Sequence, residues 1–344
     1  MESNASDRSD AHLDPDPTMQ AVFTASPGGP DVLEIGSARR PACGPNELLV
    51  RVRATALNRA DLLQRSGKYP PPEGSSSILG LEMAGEVVAV GEACEGWEEG
   101  ARVCGLLSGG GYAQYTVIHH GLAMRPPQSF SYEEAAAIPE VFLTAYQALH
   151  WYGRVDAGKT VLIHAGASGV GTAGIQLARA VGARVFVTAS KGKHDVCLDL
   201  GAEEAVDYRT EDFAERIHEL TGGRGVDVIV DFIGGPYFER NAASLALDGR
   251  LILLAMLGGS RVEHVDLRTL FARRASVFAS TLRSRDLSYK IRLARDVVRD
   301  IVPKFEDGSL RPVIDRVLPW TRVAEAHRVM EENQNIGKIV LQVD

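Results

Sequence analysis

One stretch near the middle of the chain constrains the fold more than any other. The apolar residues 161–163 predict a buried strand, and an amphipathic pattern shortly after them predicts a helix. Between strand and helix, Gly169, Gly171 and Gly174 have G-x-G-x-x-G spacing. Such glycines make a tight turn, let the backbone approach a pyrophosphate and let the helix pack on the strand. The stretch therefore predicts a dinucleotide site; the alternative is a tight strand–helix turn without a ligand.

The end of the next predicted strand indicates which dinucleotide is bound. NAD-specific sites usually carry an Asp or Glu about 20 residues after the glycines. Here residues 188–193 read Thr-Ala-Ser-Lys-Gly-Lys, so a hydroxyl and two lysines replace the acid. A 2′-phosphate favours that exchange, and we predict NADPH. The alternative is that Lys191 and Lys193 only begin a solvated helix.

Composition excludes several classes of protein. A length of 344 residues suggests two domains, and a net charge of −8 does not favour nucleic-acid binding. The four cysteines are far apart, with no C-x-x-C pair, so neither a disulfide framework nor a cysteine-rich metal site is indicated. No apolar run is long enough to span a membrane. Residues 1–18 lack the features of a signal peptide, and we predict a disordered lead and a cytoplasmic protein.

The pattern of elements changes near residue 132, which predicts two kinds of domain. Before it, short strands are separated by Gly- and Pro-rich turns, typical of a closed β-rich domain. After it, strands alternate with helices, typical of a doubly wound parallel sheet. Six such strands are predicted, at residues 161–163, 185–189, 205–208, 226–231, 250–254 and 276–279. The tail predicts helices over 289–305 and 324–332 and a last strand over 338–342, which we expect to return to the first domain.

Several segments together resemble a known family. They are Ala-Leu-Asn-Arg-Ala-Asp (56–61), Ala-Ala-Ala-Ile-Pro-Glu (135–140), His-Ala-Gly-Ala-Ser-Gly-Val-Gly (164–171), Leu-Ala-Leu-Asp-Gly-Arg (245–250), Leu-Arg-Ser-Arg-Asp (282–286) and Asn-Ile-Gly-Lys-Ile-Val (335–340). The chain resembles the zinc-independent quinone oxidoreductase branch of the medium-chain dehydrogenase/reductase superfamily, and within it the relatives of zeta-crystallin. The resemblance implies an α/β protein with a GroES-like catalytic domain (19–137 and 280–344) around a Rossmann NADPH-binding domain (138–279). It also implies quinone reduction and a homodimer.

The same resemblance bears on zinc. Alcohol dehydrogenases of this superfamily carry a catalytic Cys and a downstream Gly-His-Glu. Here Asn58 and Asp61 occupy the first region, and Gly-Leu-Glu at 80–82 lacks the histidine. Cys94 and Cys104 alone cannot supply the four thiolates of a structural zinc site. We therefore predict no zinc.

The resemblance also implies roles for individual residues. Asn58 and Asp61 would lie at the floor of the active cleft, and Tyr69 would face the acceptor. The cofactor would be held by Ser168, Gly169, Val170 and Gly171 at the pyrophosphate, Ser190 and Lys193 at the 2′-phosphate, Tyr208, Ile233 and Gly234 near the adenosine, and Met256, Leu257, Gly258 and Leu282 near the nicotinamide. Lys338 would reach back into the cofactor cleft from near the C-terminus. In the alternative interpretations, Asp61 pairs with Arg59 or Arg65, Tyr69 packs in a proline-rich loop, and Met256 fills the core.

Three functions remain open from the sequence. The first is an NADPH-dependent reductase of quinones, which are electrophilic enough to need no metal. The second is a reductase of α,β-unsaturated carbonyl or acyl substrates. The third is a non-catalytic NADPH-binding protein, which would bind NADPH tightly but show negligible turnover. Acceptor profiling separates the first two.

Overall fold

The computed structural model describes residues 17–344. The predicted lead therefore lies almost wholly outside the described residues, and Thr18 already begins the first strand. The first part of the chain contains β1 (Thr18–Thr24), β2 (Leu33–Arg39), β3 (Glu47–Ala56), α1 (Arg59–Arg65), β4 (Glu82–Val90), β5 (Arg102–Leu106), β6 (Tyr115–His119), β7 (Ala123–Met124), α2 (Tyr132–Ala136) and α3 (Pro139–Tyr146).

Alternating strands and helices follow, as the sequence predicts. They are β8 (Thr160–Ile163), α4 (Gly169–Ala180), β9 (Arg184–Ala189), α5 (His194–Asp199), β10 (Glu204–Asp207), α6 (Phe213–Leu220), β11 (Val226–Asp231), α7 (Phe238–Ser244), β12 (Leu245–Leu253), α8 (Leu267–Ala272) and β13 (Ser276–Ala279). The tail forms α9 (Leu287–Asp300), α10 (Val302–Glu306), β14 (Ile314–Pro319), α11 (Val323–Glu331) and β15 (Lys338–Gln342).

The alternating region builds a six-stranded sheet in which all neighbouring strands are parallel, in the order β10-β9-β8-β11-β12-β13. This is the strand order of a Rossmann sheet, so the predicted doubly wound sheet is confirmed. The order reverses between β8 and β11. Ligands of such sheets bind beyond the carboxyl ends of the strands at this reversal, which is where the glycine-rich turn follows β8.

The β-rich region forms a second sheet, of seven strands, with strands from both ends of the chain. Its order is β14-β15-β3-β4-β5-β7, and β6 also pairs with β3. The last strand, β15, pairs antiparallel with β3, with Val340 opposite Ala56. The predicted return of the chain's end to the first domain is thus seen in the sheet, and the predicted α/β class with a GroES-like part is confirmed.

The predicted single helix over residues 289–305 is wrong, because the chain forms two helices there. α9 ends at Asp300, and α10 begins at Val302 with Pro303 in its first turn. Proline is favoured at the start of a helix and breaks its interior, since its ring clashes with the preceding turn.

A continuous apolar core lies beneath both sheets. It joins Ala54 and Ala84 of the β-rich sheet to Val161 and Ile163 of the parallel sheet, through α2 and α3 between them. This core holds the two sheets against each other along the glycine-rich turn. Within residues 17–344, no helix has the length and apolar character to cross a membrane.

Candidate active site

The glycine-rich turn has the geometry of a phosphate cradle. Ser168 begins α4 as its N-cap, and its Oγ accepts a hydrogen bond from the Gly171 amide at 3.0 Å. A Cβ on Gly171 would lie 2.4 Å from the Ala165 carbonyl oxygen, so only glycine fits. The turn thereby brings bare backbone and the N–H groups of a helix start to the carboxyl edge of the sheet. Such a helix start fits the pyrophosphate of a dinucleotide.

The predicted 2′-phosphate residues follow β9. The Nζ of Lys193 donates to the backbone carbonyls of Asn333 and Asn335, each at 2.7 Å. Burial lowers the pKa of Lys193, and the nearby cation Arg209 lowers it further. Lys193 thus holds the loop before β15 and has an acid, Asp315, and two further cations, Arg209 and Arg59, in its surroundings. Sequence reasoning missed Arg209, although it directly follows Tyr208 at the end of β10.

The loops after β11 and β12 are joined to each other. The amides of Leu257 and Gly258 donate to the carbonyls of Phe232 and Ile233, each at 2.9 Å, and Gly234 forms a bridge with Gly259. The structure therefore brings five of the predicted cofactor residues, Ile233, Gly234, Met256, Leu257 and Gly258, into one pair of loops. The side chain of Met256 is 54% exposed, so the alternative that it fills the core is wrong.

Lys338 connects the glycine-rich turn to the β-rich sheet. A Cβ on Gly169 would lie 2.9 Å from its Cδ, so the stem of the lysine crosses this glycine closely. Its buried ammonium lies 2.8 Å from Asn58 Oδ1 and 2.8 Å from Glu82 Oε1. Asn58 Nδ2 donates to the same carboxylate oxygen, also at 2.8 Å. We call Asn58, Glu82 and Lys338 the buried triad.

Asp61 lies beside this triad but is fully buried. Its carboxylate accepts hydrogen bonds from the amides of Asn58 at 2.8 Å and Gly80 at 3.1 Å. The ion pair with Arg59 or Arg65 that was an alternative is not formed; Arg65 bonds Glu331 and His327 instead. Burial raises the pKa of Asp61 to about 6. In this position Asp61 fixes the start of α1, and with it Asn58.

Tyr69 lies in the loop after α1, and its ring has a cationic neighbour. The Arg283 guanidinium carbon is 5.4 Å from the ring centroid, and burial raises the pKa of Tyr69. Arg283 follows the predicted cofactor residue Leu282, which is buried in the core between the sheets. Sequence reasoning used the segment 282–286 only as a family motif and gave Arg283 no role.

Glu140 is a further acid at the floor that sequence reasoning missed. Its amide donates to Glu82 Oε2 at 2.8 Å, and Glu140 follows Pro139 in the first turn of α3. Burial, followed by repulsion from Glu82, raises the pKa of Glu140 to about 8. Glu140 is therefore largely protonated at neutral pH. The only sequence signal for it was its place at the end of the motif over 135–140.

The polar side chains of the floor are engaged with one another. Across the part of the chain that the structure describes, no three His, Cys, Asp or Glu side chains are grouped so that they could hold a metal ion. The buried carboxylate of Glu82 has a side-chain cation, Lys338, as its partner.

A doubly wound sheet with a phosphate cradle, packed on a β-rich sheet that carries the floor, defines a two-domain NAD(P)-binding oxidoreductase. Known proteins agree with this class. The alcohol dehydrogenase GroES-like domain matches residues 44–128, and the zinc-binding dehydrogenase domain matches residues 200–341. The chain belongs to the medium-chain dehydrogenase/reductase superfamily.

The relatives within this superfamily are diverse. Mouse synaptic vesicle membrane protein VAT-1 homolog is 33% identical over 341 residues, which cover 94% of this chain and 84% of that protein. The phthioceranic/hydroxyphthioceranic acid synthase of Mycobacterium tuberculosis is 33% identical over 92% of this chain, which corresponds to 15% of the synthase.

Solved structures show the same diversity. An NAD-dependent alcohol dehydrogenase has a TM-score of 0.83 at 36% identity, covering 95% of this chain and 100% of that one. The CurK enoyl reductase has a TM-score of 0.83 at 30% identity, covering 96% and 100%. A mycobacterial protein complexed with NADPH has a TM-score of 0.83 at 31% identity, covering 94% and 99%. The quinone oxidoreductase branch therefore stays a prediction, as does the choice of NADPH over NADH.

Proposed function

We propose that the protein is an NADPH-dependent reductase that transfers a hydride to quinones without a metal. The buried triad is the observation that carries the proposal. Its carboxylate, Glu82, is neutralised by the fixed ammonium of Lys338 at 2.8 Å. Because the carboxylate and the ammonium at the floor neutralise each other, the site suits an acceptor that is electrophilic without activation by a metal. A quinone is such an acceptor.

NADPH supplies the hydride when it is bound, and the protein orients it. The bare backbone at Gly171 and the helix start at Ser168 would hold the pyrophosphate. Ser190 and Lys193 would hold the 2′-phosphate, with Arg209 as a third polar group. Tyr69 would lie beside the acceptor, where its hydroxyl can donate a hydrogen bond to the carbonyl oxygen that gains charge.

The primary test follows the oxidation of NADPH, and separately of NADH, with an ortho-quinone in the presence and absence of a chelator. We expect turnover that resists the chelator and favours NADPH. Equal Michaelis constants for the two cofactors would refute the NADPH assignment. Loss of turnover with the chelator, restored by added zinc, would refute the metal-free reaction.

A matched pair of variants tests the 2′-phosphate site. Lys193→Ala removes a charge next to Arg209, and we expect weaker binding of NADPH with little change for NADH. Lys191→Ala removes the same charge from an exposed position two residues earlier and should weaken NADPH binding less than Lys193→Ala does. Because Lys193 also bonds Asn333 and Asn335, the melting temperature of each variant is measured too. Equal losses for both cofactors would assign Lys193 to the loop alone.

A second candidate function is the reduction of α,β-unsaturated acyl groups. The structural similarity to the CurK enoyl reductase at 30% identity favours it. An α,β-unsaturated acyl thioester offered in parallel with the quinone separates the two, because only one of them should be turned over efficiently. Tight NADPH binding without turnover of either acceptor would instead support the third function, a non-catalytic NADPH-binding protein.

We also propose that the protein is a homodimer. β13 is an edge strand of the parallel sheet, where Val277 is 41% exposed, and Phe271 on the preceding α8 is 85% exposed. An unpaired edge flanked by exposed apolar side chains is suited to pairing with a second copy. Light scattering during gel filtration measures the mass, and Val277→Lys should yield monomers. A monomeric wild-type protein would refute this assignment.

A further inference from the structure

Two cations meet at the loop after β5, next to Tyr69. Arg283 donates to the Ser108 carbonyl through Nε at 3.0 Å and Nη2 at 2.8 Å. Lys290, near the start of α9, donates from Nζ to the Ser108 hydroxyl at 3.1 Å. Arg283 is only 6% exposed. Burial lowers the pKa of both groups, and Arg283 further lowers that of Lys290. The positive charges of Arg283 and Lys290 therefore lie close together in a region with little access to water.

Neither cation has a carboxylate partner among residues 17–344. Besides Ser108, Arg283 bonds the side-chain oxygen of Gln64, and Lys290 bonds the carbonyl of Arg283. The acid closest in sequence, Asp286, is engaged as the N-cap of α9. Asp61 attracts Arg283 and Asp286 attracts Lys290, but neither carboxylate forms an ion pair with its cation, so both cations keep the capacity to bind an anion.

One donor of the pair has no acceptor at all. Arg283 Nη1 is buried and has no hydrogen-bond partner within the described part of the chain. A guanidinium stays protonated and carries five N–H donors in a fixed fork, so this donor cannot be removed by deprotonation. An oxygen of a bound anion would satisfy it with a charge-assisted hydrogen bond.

With Tyr69 beside the acceptor, as proposed above, the two cations stand on the acceptor side of the cleft. The Arg283 guanidinium lies beside the Tyr69 ring, and Asp61 at the floor attracts it. The predicted pyrophosphate cradle belongs to α4 and is built from different residues. The ligand of the cations is therefore expected on the substrate rather than on the cofactor.

We propose that Arg283 and Lys290 form a subsite for an anionic substituent of the acceptor, such as a carboxylate or sulfonate on a conjugated carbonyl compound. This inference rests on the proposed function, because it places the anion on the compound that is reduced. It names the substrate class more narrowly: the protein selects negatively charged acceptors over neutral acceptors of the same skeleton.

The experiment compares an ortho-naphthoquinone with its sulfonated derivative. In the full-length protein with NADPH, Arg283→Gln should raise the Michaelis constant for the sulfonated quinone by about tenfold or more, the loss expected for one charge-assisted hydrogen bond. The constants for the neutral quinone should change by less than about threefold. Lys290→Gln should show the same pattern more weakly. Arg285→Gln is the control, because it removes the same charge from a residue that bonds Tyr152 and lies outside the subsite.

A binding measurement keeps the inference separate from catalysis. Naphthalene sulfonate is titrated calorimetrically into the protein loaded with NADP⁺, and Arg283→Gln should weaken its binding by about tenfold. NADPH affinity and the melting temperature report whether the variant still folds, and Arg283→Lys, which keeps the charge, should recover part of the binding. If the wild type reduces no quinone, the proposed function fails, and this titration still decides whether the anion subsite exists. An unchanged affinity in folded Arg283→Gln would overturn the inference.

Discussion

Removing the ammonium of Lys338 should destabilise the protein strongly. Lys338→Met keeps most of the stem that crosses Gly169 but deletes the charge that lies 2.8 Å from Glu82. The Glu82 carboxylate then remains in a site where its side chain is 0% exposed. Its loss of a partner should decrease the free energy of unfolding, because an unpaired charge is far less stable in a protein interior than in water.

The expected magnitude follows from the contacts that remain. Breaking a buried ion pair by removing one partner costs about 3–5 kcal/mol. Glu82 keeps two donors after the substitution, Asn58 Nδ2 and the Glu140 amide, each at 2.8 Å. We therefore expect a loss near the lower end, about 3 kcal/mol. This is a large part of the stability of an ordinary globular protein, about 5–15 kcal/mol.

The assay is urea unfolding followed by circular dichroism and tryptophan fluorescence. The double variant Glu82→Gln/Lys338→Met removes both charges, and its loss should be smaller than the sum of the single losses by at least about 2 kcal/mol. The control is Lys159→Met, which removes an exposed lysine 3.6 Å from Asp227, whose carboxylate keeps Arg224 as its partner at 2.7 Å. It should cost less than about 1 kcal/mol.

Two results would refute this reasoning. The first is a loss below about 1 kcal/mol for Lys338→Met, no larger than that of the exposed control. The second is additivity of Glu82→Gln and Lys338→Met in the double variant, which would mean that the two side chains do not stabilise each other.

Three further perturbations test other parts of the site. Burial raises the pKa of Glu140 from its ordinary 4.5 to about 8, so the folded state binds the extra proton between these values. The stability that this group contributes is fully present below pH 4.5 and is lost as the pH rises to 8, by up to about 5 kcal/mol. Glu140→Gln should make the urea midpoint depend less on pH across this range. An unchanged pH dependence would contradict the assignment. Gly171→Ala places a Cβ 2.4 Å from the Ala165 carbonyl and should weaken NADPH binding by calorimetry at least about tenfold; Gly29→Ala, with nothing within 4 Å, should not. Tyr69→Phe should slow quinone turnover about fivefold, the value of one ordinary hydrogen bond, and unchanged turnover would remove Tyr69 as a proton donor.

The parallel sheet and the phosphate cradle could be predicted because their signals are local. Apolar runs of strand length and glycines at fixed spacing lie within a few residues of each other, so β8 and the glycine-rich start of α4 were visible in the sequence. Pro303 marks the break between α9 and α10 in the sequence, although the helical periodicity of residues 289–305 continues through it.

The floor of the site could not be predicted in the same way. Lys338 and Glu82 form an ion pair only because β15 lies beside β3. No local sequence pattern in either segment predicts that these two strands are neighbours. The role of Arg283 could not be predicted either. It depends on the hydrogen bond to Ser108 and on the unpartnered donor Nη1, and both follow from tertiary contacts. A lysine in a C-terminal strand or an arginine in a polar segment is otherwise an ordinary surface residue.

The insertion of β15 between β14 and β3 has a consequence for the order of events during synthesis. The parallel sheet is contiguous in the chain, so it can fold as soon as β13 has left the ribosome. The β-rich sheet is completed only after β15, because this strand begins only at Lys338 and lies between β14 and β3. A nascent chain stopped shortly before β15 would therefore hold the nucleotide-binding half without a completed floor. Translation through β15 adds the pairing with β3 and brings Lys338 to the floor of the site.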